Sequence, residues 1–379
     1  MTYDQVSSGL PTAWGEPLFT GRFKVAPADF IVEEQLGFDL DGHGEHLFLL
    51  VRKCGLNTND VVEKLQTQFN CQSVDVGVSG LKDKQAITDQ WISIRTPLNL
   101  SETELEQPSG SAQQEYLIDS GEMQILNAVR HNRKLRRGAH QENRFIVRLH
   151  DVNPIDQTAK NQGVKHDNAR LPQAVADRLS TIGSRGFPNY FGPQLFGFNQ
   201  QNLVQAQRYF ANRRKKITRT KRGLYISAAR SAIFNRVCAH RVQACSWNTP
   251  LHGEPMILDG AQSYFVNTGN DDDTIARCQA FDIHPSGPMW GSGSAIAQSE
   301  CAQLETEAVS SLATLRQGLE SIDLKQQRRA LRVRPSNLTW HWLKPDCLEL
   351  RFGLPVGSYA TSLLTELVSI KQDDQSAQH

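Results

Sequence analysis

Strand-like alternation fills both ends of this chain, while helical periodicity dominates the middle. Near the start, FKVAPADFIVEEQL alternates, as does HLFLLVRKCG after the turn DGHGE; SVDVGVSG, WISIRT and RFIVRLHDV (Arg144–Val152) read as further strands. One helix interrupts them, Asn59–Phe69, with Asn59 placed to cap it. The middle carries helical patterns at Pro172–Ile182, Leu203–Ala211, Ser227–Cys245 and Cys301–Leu319, the last with Leu304, Ala308, Leu312 and Leu315 on one face. Leu251–Val266 reads as short strands. LTWHWL and CLELRFGLP return to alternation before a last helix, Ser362–Ile370. Strand-rich ends flanking a helical centre predict an α+β domain interrupted by an insertion. The 379 residues are enough for both. The polar stretch Asn153–Leu171 reads as a long loop joining them.

Charge is the next informative feature. The net value is only +1, which seems to disfavour nucleic acid, but the charges are segregated. Arg130–Arg148 holds seven Lys/Arg and one acid, Arg208–Arg222 eight and none, and Lys325–Arg334 five and none. Acids gather at Asp29–Glu45 and Asp271–Asp273. Clustered cations against a neutral mean are the footprint of a polyanion-binding face; the competing reading is solvated helix faces. The seven cysteines are scattered with no C-x-x-C pair, which disfavours a disulfide framework or a cysteine zinc site and predicts a reducing cytosol. No apolar run approaches the roughly 18 residues of a membrane span, and the start of the chain lacks the pattern of a signal peptide.

Several motifs carry little chemistry. His43 and His46 in DGHGEHLF have a metal-like spacing but no third ligand nearby, so a turn with hydrogen-bonding histidines is the better reading. WGSGSA (Trp290–Ala295) reads as a loop entering a helix with Ser294 near its cap. No dinucleotide fingerprint, P-loop or nucleophile elbow is present.

Two stretches remain. RHNRKLRRGAHQENRF sets cations, including Arg133, Lys134, Arg136 and Arg137, beside Asn143 and Phe145, which could read a base edge and stack on a base; equally, Phe145 could be the first core residue of its strand. GLKDKQAITDQWISIR places Asp83 between Lys82 and Lys84 in a loop between strands. Loop aspartates are commonly turn residues. Flanking cations could instead hold a carboxylate ionised beside phosphate, able to serve as nucleophile or base.

GLKDKQAITDQWISI resembles the catalytic-aspartate motif of the TruD-type tRNA pseudouridine synthases. FKVAPADFIVEE, GEHLFLLVRKCGLNT, RHNRKLRRGAHQENRF, FPNYFGPQLFG, SAARSAIFNRV and LELRFGLPVGSYATSLLTEL resemble that family's other blocks, in order. The resemblance implies a pseudouridine synthase catalytic domain with a mixed, mainly antiparallel sheet, residues 1–185 and 327–379, interrupted by an α/β TRUD insertion domain, residues 186–326. It implies isomerisation of uridine 13 of tRNA to pseudouridine without cofactor or metal, by a cytoplasmic monomer with no obligate protein partner and no membrane association. By motif, Asp83 is the catalytic aspartate and Lys24 the cation beside it. Phe30, Asn143, Phe145 and Phe352 match substrate-pocket residues, with Phe145 in the place of a base-stacking ring. Arg133, Lys134, Arg136, Arg137, Arg213, Arg214, Lys215 and Lys216 are expected to contact RNA. The linker 153–171 looks long for the family and reads as filler. The competing classes are a non-catalytic RNA-binding protein, resting on the basic clusters, and a metal-dependent RNA hydrolase, resting on His43 and His46.

Overall fold

Alternating apolar residues at both ends of the chain meet in one sheet. The computed structural model describes residues 9–96, 118–155, 170–212, 216–269 and 272–371. Its largest sheet has ten strands. Seven come from the first half: β1 (Phe19–Phe23), β2 (Phe30–Leu36), β3 (His46–Lys53), β4 (Val76–Val78), β5 (Ile87–Arg95), β6 (Met123–His131) and β7 (His140–Pro154). Three come from the end: Ser336–Lys344, Cys347–Pro355 and Val368–Ile370. The order across the sheet is Ser336–Lys344, Cys347–Pro355, β7, β2, β5, β3, β6. β1 lies against β7 and Val368–Ile370, and β4 against β5. Only β2 with β5 and β1 with Val368–Ile370 run parallel, so the sheet is mixed and mainly antiparallel in an α+β fold.

Helix α1 (Thr58–Gln68) covers part of one face. Its cap is Asn57, two residues before the predicted Asn59, and the Asp60 carboxylate accepts from the Asn57 main-chain N at 2.8 Å. Val61 and Leu65 of α1 pack on Leu47, Leu49 and Val51 of β3 and Ile92 and Ile94 of β5, all buried. These positions alternate along each strand, so they share one face.

Two compact units divide the chain. One holds the ten-stranded sheet, from Leu18 to Ala174, Pro335–Gly357 and the chain from Val368. The other holds Val175–Arg334 together with the described residues up to Pro17 and Ser358–Leu367. Those two short segments join it through specific contacts. Trp14 meets Trp247 edge-on at 5.7 Å, Tyr190 Oη donates to Pro11 O at 3.0 Å, and the Glu366 carboxylate accepts from Ala13 N and Trp14 N at 3.0 and 3.1 Å. The compact units therefore divide at different places from the family-based boundaries.

The second unit packs α3 (Gln201–Ala211) and α4 (Arg219–Gln243), which follow α2 (Leu171–Arg185), around a core of Phe196, Leu203, Ala232, Ile233, Leu312 and Leu315. The single helix predicted over Cys301–Leu319 is broken into Ser299–Ala308, a tight turn at Ser310–Leu312 and Ala313–Glu320. The break lets Val309, Leu312 and Leu315 all reach that core. WGSGSA does not open a helix: Gly291 is pressed on the chain at Leu324, where a Cβ would lie 2.0 Å from the carbonyl oxygen, and the next helix starts at Ser299. The predicted helix Ser362–Ile370 is a short helix Ala360–Thr365 followed by the strand Val368–Ile370, whose alternating Val and Ile suit pairing with β1. Most of the polar stretch after Pro154, residues 156–169, lies outside the described residues, as does Asp271.

Candidate active site

Three strands carry a row of aromatic rings across one face of the large sheet. Phe145 of β7 pairs in register with Val32 of β2 on one side and Phe352 on the other. Phe30, two positions from Val32, projects from the same face. The Phe30 and Phe145 rings stack at 6.0 Å, and Phe145 and Phe352 at 5.4 Å. All three are buried, so Phe145 is a core residue of its strand as well as a member of this row.

Lys24 closes the row. Its ammonium lies over the Phe30 ring, 4.4 Å from the centroid, and forms an ion pair with Asp83 Oδ2. The turn after β1 brings it there. Lys24 has φ +60°, a left-handed conformation that costs a side-chain-bearing residue about 1 kcal/mol or more. Asp83 Oδ1 accepts from Gln85 N at 3.0 Å. Burial pushes the Asp83 carboxyl up, but the bonded Lys24 ammonium, the Gln85 N–H and nearby Lys53 together hold it below the ordinary aspartate range. The carboxylate stays about one-third exposed, 35%, so a substrate can reach it.

The neighbouring lysines behave differently from one another. Lys82 turns inward, its Nζ 2.7 Å from Glu34 Oε2 with both side chains buried, and donates to Asn143 Oδ1 at 2.5 Å. Burial raises the Glu34 carboxyl, and Lys82 opposes that rise. Lys84 is exposed. Asn143 is held at its other end too: Nδ2 donates to His140 Nε2 at 3.2 Å, and His140 Nδ1 bonds the Ser79 hydroxyl. Burial first, then the Lys82 charge, pulls the His140 pKa down to about 4, so the ring is neutral at pH 7.

Main-chain ties fix the loop that presents Asp83. Ser79 O accepts from Gly138 N at 2.8 Å, Gly80 O from Gln90 Nε2 at 2.5 Å, and Asp83 O from Lys53 Nζ at 2.6 Å, while Lys82 N donates to Thr58 Oγ1 at 3.0 Å. The structure thus brings together Lys24, Phe30, Asp83, Asn143, Phe145 and Phe352. It adds Lys53, Glu34, Thr58, Ser79 and His140, which motif reading passed over. Parity was the available signal for two of them: Lys53 follows Val51, and Glu34 follows Val32, on the inward side of their strands.

The basic residues divide. Arg133, Arg136 and Arg137 are exposed on the connection between β6 and β7, and Lys134 donates to Val74 O at 2.5 Å. Lys216 is exposed in the other unit, and Arg213, Arg214 and Lys215 lie outside the described residues. The cluster at Lys325–Arg334 is not a solvent-facing cation patch. Arg328 is buried against Glu305 at 2.7 Å, and Arg332 is buried over the Phe281 ring at 4.0 Å while donating to Ile283 O. His43 is tied within its turn, its Nδ1 donating to Asp41 O at 2.9 Å. Among the described residues no three His, Cys, Asp or Glu side chains converge as metal ligands, and no helix is long and apolar enough to cross a membrane.

Comparison with known proteins addresses the chain as a whole. The family model described as tRNA pseudouridine synthase D (TruD) matches residues 12–205 and 201–367. A tRNA pseudouridine synthase D of Methylococcus capsulatus is 39% identical over 360 residues, covering 95% of this chain and 94% of the relative. One from Nitrosococcus oceani is 41% identical over 357 residues, covering 94% and 92%. Among solved structures, a Methanosarcina mazei protein described as a tRNA pseudouridine synthase D superposes with a TM-score of 0.64 at 18% identity, covering 94% of this chain and 95% of that one, and so shares the fold.

Proposed function

The chain belongs to the tRNA pseudouridine synthase D (TruD) family, and on that premise we propose that it isomerises uridine to pseudouridine in tRNA, at uridine 13, with Asp83 as the catalytic carboxylate. The observation that carries this reading is the Lys24–Asp83 ion pair at the end of the Phe30–Phe145–Phe352 row. A lone carboxylate against phosphate would be driven toward protonation; a bonded ammonium keeps its electron pair free. That pair can attack C1′ or remove the C2′ proton, and both routes lead to rupture of the N1–C1′ bond. The freed uracil turns and C5 bonds to C1′, which releases the Asp83 carboxylate in the first route and returns the proton to C2′ in the second; the C5 proton then leaves and N1 takes up a proton. Atoms and oxidation state balance within the one substrate, so the reaction needs no co-substrate.

In this reading the target base leaves the tRNA stack, at a cost of a few kcal/mol. The aromatic row supplies an apolar wall against which the uracil packs, with Phe145 at its centre. Asn143, fixed by Lys82 and His140, keeps one N–H and one acceptor site for the base edge. Arg133, Lys134, Arg136 and Arg137 hold phosphates, joined by Arg213, Arg214, Lys215 and Lys216 of the insertion, residues 186–326. A cytoplasmic monomer completes the proposal. The test is pseudouridine mapping of tRNA treated with wild-type protein and with Asp83→Asn. Product at uridine 13 from the wild type alone is expected, with tRNA affinity retained by the variant. Normal turnover by Asp83→Asn removes the catalytic assignment, and product at another position removes uridine 13.

A further inference from the structure

Lys53 is the least expected side chain near Asp83. It sits at the end of β3 on the inward face and is 1% exposed. A buried ammonium ordinarily has a carboxylate partner, because desolvating an unpaired charge is costly. Lys53 has none within ion-pair distance among the described residues. Its hydrogen bond goes to the main-chain carbonyl of Asp83. The charged and titratable groups around it are Asp83 and Lys82 from the loop, Cys54 beside it on the chain and Asp60 from α1. Burial pulls its pKa down to about 8, against the attraction of Asp83.

Resting on the reading of Asp83 as the catalytic carboxylate, we propose that Lys53 is a positioning residue for the isomerisation. It clamps the Asp83 main chain in the orientation that meets Lys24, and its charge is the second cation holding the carboxylate ionised. The two lysines divide the task. Lys24 bonds the carboxylate from the exposed side, and Lys53 grips the peptide behind it from the sheet. The unsatisfied desolvation of Lys53 is the cost of fixing a loop that has no regular secondary structure between Gly80 and Gln85.

The test compares full-length wild type, Lys53→Met and Lys53→Arg in single-turnover pseudouridine formation on tRNA from pH 5.5 to 9, with tRNA binding and thermal melting measured alongside. Lys53→Met is expected to slow the chemical step roughly 100-fold with tRNA affinity within about 3-fold, and to move the acid limb of the rate to higher pH as Asp83 loses a neighbouring cation. Wild type is expected to lose rate above about pH 8 as Lys53 deprotonates; Lys53→Arg keeps the charge at every pH, so it is expected to restore part of the rate and to lack that alkaline fall. The inference is overturned if Lys53→Met turns over within about 3-fold of wild type. It is equally overturned if the rate loss is matched by lost binding or folding with no shift in pH profile. Should Lys53→Met fail to fold, an unchanged alkaline limb in Lys53→Arg overturns it alone. Asp83→Asn separates the two levels: if that variant is inactive while both Lys53 variants behave as wild type, only the role of Lys53 fails.

Discussion

Asn143 Nδ2 lies 3.2 Å from His140 Nε2, and this contact sets both the amide orientation and the ring tautomer. His140 must accept at Nε2, so its proton sits on Nδ1, facing Ser79. Protonating the second nitrogen breaks the arrangement. The folded-state pKa is about 4, below the ordinary 6.5, so the unfolded chain takes up this proton first as pH falls. The stability from neutral His140 is therefore complete above pH 6.5 and lost between 6.5 and 4, up to about 3 kcal/mol. Denaturant unfolding at pH 7.5 and 4.5 checks this: His140→Gln should show a smaller drop between the two than wild type.

Lys82 and Glu34 form a buried pair in which neither partner tolerates losing the other. Lys82→Met should destabilise the protein by about 3–5 kcal/mol, because it strands the Glu34 carboxylate. The double variant Lys82→Met with Glu34→Leu should recover most of that. Melting temperatures of the three proteins decide it; an undiminished loss in the double variant would mean the lysine's packing, not its charge, is what counts.

Phe145 serves the core and, as proposed, the substrate. Phe145→Leu keeps an apolar side chain in the row and should cost less stability than Phe145→Ala, for which about 3–5 kcal/mol is expected. If the ring also supports the uracil, the leucine variant loses activity well beyond its loss of folded fraction. Product formation under fully folded conditions distinguishes the two roles.

Gly77 of β4 touches the basic connection: a Cβ there would lie 2.4 Å from Leu135 O and 3.0 Å from Lys134 Cγ. Gly77→Ala should displace that segment and destabilise by about 1–3 kcal/mol. Weaker tRNA binding should accompany the lower melting temperature.

Arg133, Arg136 and Arg137 are free to meet phosphate. Replacing all three with Gln should flatten the dependence of log affinity on log salt by up to about 2–3 units, at about 0.7–0.9 per lost contact. A filter-binding series from low to high salt measures this, and an unchanged slope would place the RNA elsewhere.

What the sequence made legible follows the physics of each element. Strands with clean alternation were found, because one face is buried and the other is not. Asp83 and Lys24 stand out through motifs that resemble a known family's, and the structure pairs them. Lys53 and Glu34 were not, because a charged residue near a strand end reads as an outward one until the register is known. Phe145 reads as two alternatives, core ring or substrate platform, and the sheet gives it a place in the core, stacked on the Phe30 ring that lies under Lys24. The breaks at Val309 and after Thr365 were missed because both helical patterns run through them; only packing partners interrupt the helix there. The arginines at 328 and 332 looked like a cation patch because sequence does not show that their partners, Glu305 and the carbonyls near Cys278, fold over them.

The pairing of β7 with Cys347–Pro355 also orders events during synthesis. β1 and β2 cover one edge of β7, but the strand for the other edge is encoded nearly 200 residues later. At roughly 5–20 residues per second, a ribosome leaves that edge bare for on the order of 10 to 40 s. During this interval the nascent chain exposes unpaired main-chain groups beside Phe145, a surface prone to mispairing with other chains. The last strands therefore do two jobs at one moment. They bring Phe352 to the row, and they close the edge that a stalled or truncated product would leave open.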